Sequence, residues 1–116
     1  MRVMIVDDDP DILKLLEDIL ILKFPSITLD LAKNGKEALS KIRDAEDDDR
    51  PNLIISDMKM PIMNGKELCK MIKEKYDIKV ALMTAFSETS SCFDEIFFKP
   101  LDFDALFNFI KNSWVK

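Results

Sequence analysis

The sequence VMIVDDDPDIL at residues 3–13 passes from an apolar run into acidic residues and then into an amphipathic segment. Its first four residues are apolar without interruption, which is typical of a strand buried on both faces of a sheet. Asp9 can cap a helix and Pro10 fits a first helical turn, so a helix is predicted from there to about Lys23. A buried strand that leads directly into a helix is the repeating unit of a parallel α/β sheet.

The rest of the chain continues this alternation. Four further apolar runs predict strands, at residues 27–31, 53–55, 80–83 and 96–98, the first with the alternating pattern of an edge strand. Three further helices are predicted, after Asn34-Gly35, after Asn64-Gly65 and after Asp102. Residues predicted to face the core from the four helices are Ile12, Leu16, Ile19 and Leu20; Ala38, Leu39 and Ile42; Leu68, Met71 and Ile72; and Phe103, Leu106, Phe107, Ile110 and Trp114. The pattern predicts a doubly wound α/β domain.

One connection is too short for this pattern. Only eleven residues, 85–95, separate the fourth and fifth predicted strands. That is about the length of one average helix without its loops, and Ser87 could cap one turn at most. We therefore expect the helix between these strands to be shortened or missing.

Composition excludes several classes of function. The length of 116 residues predicts a single domain over 1–116. Twenty-two acidic and 17 basic residues give a net charge of −5, which argues against direct binding to nucleic acid. No apolar run approaches the ~18 residues of a membrane span, and no signal peptide is evident, so we expect no membrane insertion. With no histidine and two separated glycines, histidine-based catalysis and glycine-rich nucleotide loops are excluded.

The two cysteines also carry information. Cys69 and Cys92 do not form a CxxC pair, and they are too few for a disulfide framework. A reducing cytoplasm is the simplest interpretation of this usage.

Polar side chains follow four of the predicted strands, close to the point where each strand ends. Asp7 and Asp8 come directly after the first strand, and Asp57 comes two residues after the third. Thr84 follows the fourth strand and Lys99 the fifth. Since ligands of open parallel sheets bind at the carboxyl ends of the strands, these side chains are expected to form one site.

The chemistry of this set points to a cation and a phosphoryl group. Three carboxylates at one edge repel one another unless a cation enters. Because no histidine is available, Mg²⁺ is the expected ion, with Mn²⁺ as an alternative. A hydroxyl and an ammonium add a hydrogen-bond donor and a charge for phosphate. A covalent aspartyl phosphate, formed when a carboxylate attacks a phosphodonor, fits better than a bound nucleotide.

These motifs resemble the receiver domain of two-component response regulators, the CheY-like family. The resemblance runs the whole length of the chain and is carried by residues at four strand ends. They are Asp7-Asp8, the run SDMKMP at 56–61 with Met63-Asn64-Gly65, Met83-Thr84-Ala85, and Phe98-Lys99-Pro100. The family's fold is a five-stranded parallel sheet in the flavodoxin-like order 2-1-3-4-5, so the same order is expected here.

The resemblance also implies roles for individual residues. Asp57 would be the phosphoacceptor, and Thr84 and Lys99 would each bind a phosphoryl oxygen. Mg²⁺ would be held by Asp8 and Asp57 directly, by Asp7 largely through water, and by the backbone carbonyl of Lys59. The Lys99-Pro100 peptide bond would be cis.

The implied partners follow from the same family. The phosphoryl group would come from the phosphohistidine of a sensor histidine kinase or a histidine phosphotransfer protein. The signal would pass to an unidentified downstream protein by conformational change, in the cytoplasm. No enzymatic activity is expected beyond self-phosphotransfer and slow self-dephosphorylation.

Two departures from the family pattern lead to further hypotheses. Ile96 occupies the position, three residues before Lys99, where the family usually has an aromatic residue that moves with the threonine. Lys59 and Phe86 occupy the positions that flank the path of the attacking water, which suggests slow self-dephosphorylation.

Two other interpretations remain open. A phosphorylation-independent interaction module with the receiver fold is favoured by Ile96 and by the short segment 85–95. An aspartate-nucleophile phosphatase would use Asp7, although the chain is short for a substrate-capping domain. Mapping the phosphorylated residue separates the three: Asp57, Asp7 or neither.

Overall fold

The computed structural model describes residues 1–85 and 90–114, and it forms three layers, with a parallel sheet between two pairs of helices. The strands are β1 (Arg2–Val6), β2 (Thr28–Ala32), β3 (Leu53–Asp57), β4 (Lys79–Thr84) and β5 (Glu95–Phe98). The helices are α1 (Pro10–Lys23), α2 (Gly35–Asp44), α3 (Gly65–Lys75) and α4 (Phe103–Trp114), with a 3-10 turn at Asp47–Asp49. Each predicted strand and helix is present within a few residues of its expected ends.

The sheet has the order β2-β1-β3-β4-β5 with all neighbours parallel, as predicted. Chain order reverses between β1 and β3, so the crevice at their carboxyl ends is the position where such folds bind ligands. In register, Val6 lies beside Ser56, which places Asp7, directly after β1, next to Asp57, the last residue of β3.

Alternate residues of the central strands pack into two separate cores. In β1, Met4 and Val6 contact the core beneath α2 and α3, whereas Val3 and Ile5 contact the core beneath α1 and α4. Both faces of β1 are therefore dry, which explains why its sequence is continuously apolar rather than alternating.

Side chains at the helix starts fix where three helices begin. The carboxylate of Asp9 accepts the amide N–H of Asp11, and the side chain of Asn34 accepts that of Glu37. Asn64 and Glu67 form a reciprocal capping box at the start of α3. These caps accept hydrogen bonds from amide groups that have no intrahelical partner in the first helical turn. Each of the three helices therefore begins just beyond the carboxyl edge of the sheet.

The predicted inward faces of two helices needed correction. In α3, Met71 is 42% exposed, whereas Cys69 is 0% exposed and takes its place in the core. In α1, Leu13 is buried and was not predicted, whereas Ile12 and Ile19 are only partly buried. In both helices the predicted buried face is displaced by one or two residues. Apolar residues on adjacent rows of a helix can each form a plausible buried face, and the sequence pattern does not distinguish between them.

The connection from β4 to β5 contains no helix among its described residues, 85 and 90–94. This agrees with the prediction that the helix there is shortened or missing; Phe86 and Ser87 lie outside the described residues. The sulfur atoms of Cys69 and Cys92 are bonded, which joins α3 to this connection. The sequence had favoured a reducing environment without a disulfide framework, and spacing alone could not reveal that the fold brings the two side chains together.

No helix in the described ranges has the length and apolar character needed to cross a bilayer.

Candidate functional site

Three carboxylates meet at the carboxyl edge of the sheet. One oxygen from each of Asp7, Asp8 and Asp57 lies within 4.8 Å of the other two. Asp7 and Asp8 directly follow β1, and Asp57 is the last residue of the adjacent β3. The structure therefore brings together the acidic residues that the sequence placed at one edge.

Asp7 is the most constrained member of this cluster. It is 1% exposed, and its Oδ1 accepts a hydrogen bond of 2.9 Å from the amide N–H of Asp9. Its Oδ2 is buried without a hydrogen-bond partner among the described residues. Burial raises the pKa of Asp7 to about 6; the neighbouring charges of Asp57 and Asp8 also raise it, and the Asp9 N–H opposes the shift.

Lys99 supplies positive charge to the cluster. Its Nζ donates a hydrogen bond of 3.0 Å to Oδ1 of Asp57, and both side chains are largely shielded from solvent. Lys99 directly follows β5, and its amide N–H donates to the carbonyl of Thr84 at 2.7 Å. The Lys99-Pro100 peptide bond is cis, as the resemblance implied.

Thr84 ends β4 at the same edge and is 1% exposed. In register it lies beside Phe98, the residue before Lys99, while its neighbour Met83 lies beside Asp57. Thr84 therefore lies on the strand between β3, which ends with Asp57, and β5, which leads to Lys99.

Lys59 lies in the loop after β3, beside a shallow cleft of about 540 Å³. The cleft is lined by Asp8, Met58, Lys59, Met60, Pro61 and Asn64. Because Asp8 also belongs to the acidic cluster, the cleft opens next to the carboxylates and offers access from solvent.

Gly65, the first residue of α3, packs closely against the backbone of Asp57 and Met58. A Cβ atom at Gly65 would lie 2.5 Å from the backbone carbonyl oxygen of Asp57 and 3.2 Å from Cα of Met58. The amide N–H of Gly65 donates to the carbonyl of Met58 at 2.9 Å. The sequence shows Gly65 as part of a motif and at a helix start, but its close approach to the backbone, which leaves no room for a side chain, is visible only in the structure.

Replacing Gly65 by alanine is expected to lower the free energy of unfolding by roughly 1–3 kcal/mol, because rigid backbone atoms would have to shift. Gly35→Ala is the matched control, since Gly35 also follows an asparagine cap and the three atoms nearest to its added Cβ all belong to the flexible side chain of Met63. Urea unfolding measures both variants. Equal losses of stability in the two variants would contradict this account of Gly65.

The residues present fit a hard divalent cation. All the possible side-chain ligands in the cluster are carboxylate oxygens. One of them, the buried Oδ2 of Asp7, accepts no hydrogen bond from the described residues. Mg²⁺ prefers such oxygen ligands and usually retains several waters, which the adjoining open cleft can accommodate. The donor set therefore supports the cation that the sequence predicted.

Comparison with known proteins identifies the family. The family model for the response regulator receiver domain matches residues 3–111. The curated relative MtrA, a DNA-binding response regulator from Mycolicibacterium smegmatis, is 27% identical over 88 residues, which cover 76% of this chain. The chain spans only 36% of the length of MtrA.

Solved structures agree with this assignment. The response regulator TrrA from Thermotoga maritima, crystallised in complex with Mg²⁺-BeF, is 35% identical, with a TM-score of 0.80 and 97% of each chain covered. TrrA in complex with the histidine kinase ThkA is 33% identical, with a TM-score of 0.81 and 98% of each chain covered. The chain belongs to the response regulator receiver domain family, and its sheet has the CheY-like arrangement.

Proposed function

We propose that this chain is a single receiver domain, over 1–116, that accepts a phosphoryl group on Asp57. The observation that carries the proposal is the hydrogen bond of 3.0 Å from Lys99 to Asp57 inside a cluster of three carboxylates. An ammonium at this distance can stabilise the negative charge that gathers on phosphoryl oxygens during transfer.

Each residue has a defined part in the proposed transfer. A carboxylate oxygen of Asp57 attacks the phosphorus atom, and the bond between phosphorus and the leaving group of the donor breaks. Lys99 neutralises charge beside the reacting carboxylate, and the hydroxyl of Thr84 donates a hydrogen bond to a phosphoryl oxygen. Because these groups lie at or directly after the ends of strands of one sheet, they are already oriented before the donor arrives.

Asp7, Asp8, Asp57 and the backbone carbonyl of Lys59 would hold Mg²⁺. When bound, Mg²⁺ supplies positive charge that offsets the carboxylates and the incoming phosphoryl group. Two observations support this assignment: Asp7 Oδ2 has no hydrogen-bond partner within residues 1–85 and 90–114, and the cluster offers only carboxylate oxygens as ligands. TrrA, which is similar over nearly its whole length, was crystallised with Mg²⁺-BeF.

The proposed donor is the phosphohistidine of a sensor histidine kinase or a histidine phosphotransfer protein. The chain has no histidine, so the donor imidazole must lie outside these 116 residues. TrrA in complex with a histidine kinase supports this kind of partner. We further propose that the protein acts in the cytoplasm and that it signals to a downstream protein by a shift of the loop after β4. We expect no catalysis beyond self-phosphotransfer and slow self-dephosphorylation.

A phosphorylation-independent interaction module is the second candidate. It is favoured by the absence of a helix among the described residues between β4 and β5 and by Ile96, which is an aliphatic residue at the usual aromatic position. Such a module would retain the fold and bind its partner whether or not Asp57 is modified.

The deciding experiment is incubation with acetyl phosphate and Mg²⁺, followed by intact mass and peptide mapping. We expect one phosphoryl adduct on Asp57, which is lost in Asp57→Asn and in the presence of EDTA. Asp77→Asn, an exposed residue in the turn after α3, is the control and should retain the adduct. An adduct on Asp7 would indicate the phosphatase interpretation, and no adduct would favour the interaction module.

A further inference from the structure

Two ties join α3 to the connection before β5. The first is the disulfide between Cys69 and Cys92, whose Cα atoms are 6.3 Å apart. The second is Lys73, four residues after Cys69, whose Nζ donates to Asp94 Oδ2 at 2.6 Å and to the carbonyl of Ile78 at 3.0 Å. Residues four apart lie on one helix face, so α3 presents a covalent and an ionic anchor to the same segment.

Asp94 extends the second tie into the sheet. Its Oδ2 also accepts the amide N–H of Val80 at 2.7 Å, and its own amide N–H donates to the carbonyl of Val80 at 2.8 Å. The end of the connection nearest β5 is therefore fixed to β4 without the disulfide. Around Cys92, the covalent bond to Cys69 joins the connection to α3.

The two sulfur atoms differ in access. Cys69 is 0% exposed in the core beneath α2 and α3, a cluster that also contains Ile72 and Phe93. Cys92 is only partly buried at the edge of the same core. Cys92 is therefore the more accessible cysteine of the pair to a thiolate that arrives from solvent.

We propose that Cys69 and Cys92 form a reversible thiol–disulfide exchange site that sets how firmly the β4–β5 connection is held to α3. An incoming low-molecular-weight thiolate attacks Cys92 Sγ, a mixed disulfide forms there, and Cys69 leaves as a thiolate that takes a proton. A second external thiolate attacks the external sulfur of the mixed disulfide, which gives an external disulfide and releases the Cys92 thiolate. The reverse sequence, driven by an oxidised low-molecular-weight disulfide, restores the bond.

The order of attack follows from burial. The opposite order would require a bulky thiol to enter a closed core beside Phe93, which is 9% exposed. In a reducing compartment a bond of this kind is transient and regulatory rather than structural. The site lies on α3 and the connection, so its chemistry does not depend on Asp57 being phosphorylated.

The first test equilibrates the full chain with glutathione mixtures, then alkylates free thiols with N-ethylmaleimide and measures intact mass. We expect a single change from the disulfide to two alkylated thiols as the mixture becomes reducing. With oxidised glutathione, Cys69→Ala should gain a mixed disulfide at Cys92 at least about tenfold faster than Cys92→Ala gains one at Cys69. Circular dichroism confirms that both variants are folded before rates are compared.

The second test measures hydrogen exchange of the amides at residues 90–94 in the oxidised and reduced protein. We expect faster exchange on reduction and a melting temperature lower by roughly 8–15 °C. The exchange effect should grow in Lys73→Met, which removes the ionic tie, but not in Lys70→Met on the exposed face of α3. Three results would each overturn the proposal. They are equal modification rates for the two cysteine variants, a Cys69–Cys92 pair that stays reduced in oxidised glutathione, and hydrogen exchange at residues 90–94 that does not change on reduction.

Discussion

Asp7→Asn is expected to raise the stability of the metal-free protein at neutral pH and to weaken Mg²⁺ binding by about 10–100-fold. The amide keeps the shape of the side chain, and its oxygen can still accept the N–H of Asp9 that Asp7 Oδ1 accepts at 2.9 Å. What it removes is a buried charge beside two other carboxylates. Thermal unfolding with and without Mg²⁺, together with calorimetric titration, measures both effects.

The sign of the pH dependence follows from the pKa of Asp7, which burial raises from 3.8 to about 6. Above pH 6, Asp7 is ionised in both the folded and the unfolded protein, but the buried charge is less favourable in the folded protein. The resulting loss of folding stability is fully present there. The penalty decreases as the pH falls from 6 towards 3.8, where both states bind the proton. The variant should therefore gain roughly 1–3 kcal/mol over the metal-free parent at pH 7.5, and little at pH 4.

Asp9→Asn is the matched control for this experiment. It removes the same charge two residues away, and asparagine caps a helix as well as aspartate does, so stability and Mg²⁺ affinity should change little. Mg²⁺ at 100 times its dissociation constant should stabilise the parent by about 2.7 kcal/mol and should stabilise the Asp9 variant similarly. The account of Asp7 is wrong if its variant keeps the parental Mg²⁺ affinity or melts at a lower temperature without metal.

The convergence of the site could be predicted because it depends on strand ends rather than on side-chain packing. Asp7, Asp57 and Lys99 each lie at or directly after the end of a parallel strand, and the carboxyl ends of such strands share one edge. Once the strands were located from their apolar runs, the meeting of these residues followed from topology. The hydrogen bond between Lys99 and Asp57 is the direct consequence.

Details that depend on packing could not be predicted in the same way. The helical pattern of α3 allowed either Met71 or Cys69 to face the core, and only the contact surface of the sheet decides in favour of Cys69. The bond to Cys92 requires the exact path of a connection that lacks regular structure in its described part. The close approach of Gly65 to the Asp57 carbonyl likewise depends on how the loop after β3 folds back on itself.

Lys99→Met is expected to slow phosphorylation of Asp57 by acetyl phosphate by about 100-fold, the typical cost of losing one charge-stabilising donor. Methionine keeps much of the length of the lysine side chain but removes the ammonium that lies 3.0 Å from Asp57 Oδ1. Because a competing positive charge leaves the carboxylate cluster, Mg²⁺ affinity should stay the same or increase. Slower transfer with unchanged or tighter Mg²⁺ binding would show that Lys99 acts in transfer. A variant whose site is merely distorted would lose both.

Lys79→Met provides the control, because Lys79 begins β4 at the opposite edge of the sheet and is exposed. Its rate of adduct formation, measured by intact mass over time, should match that of the parent, and both variants should unfold cooperatively. If Lys99→Met accepts phosphate at the parental rate, the ammonium does not stabilise the transfer. If Lys99→Met loses both phosphoryl transfer and Mg²⁺ binding, Lys99 acts by holding the carboxylates in place. Loss of a group that only stabilises charge would slow transfer and leave the metal site intact.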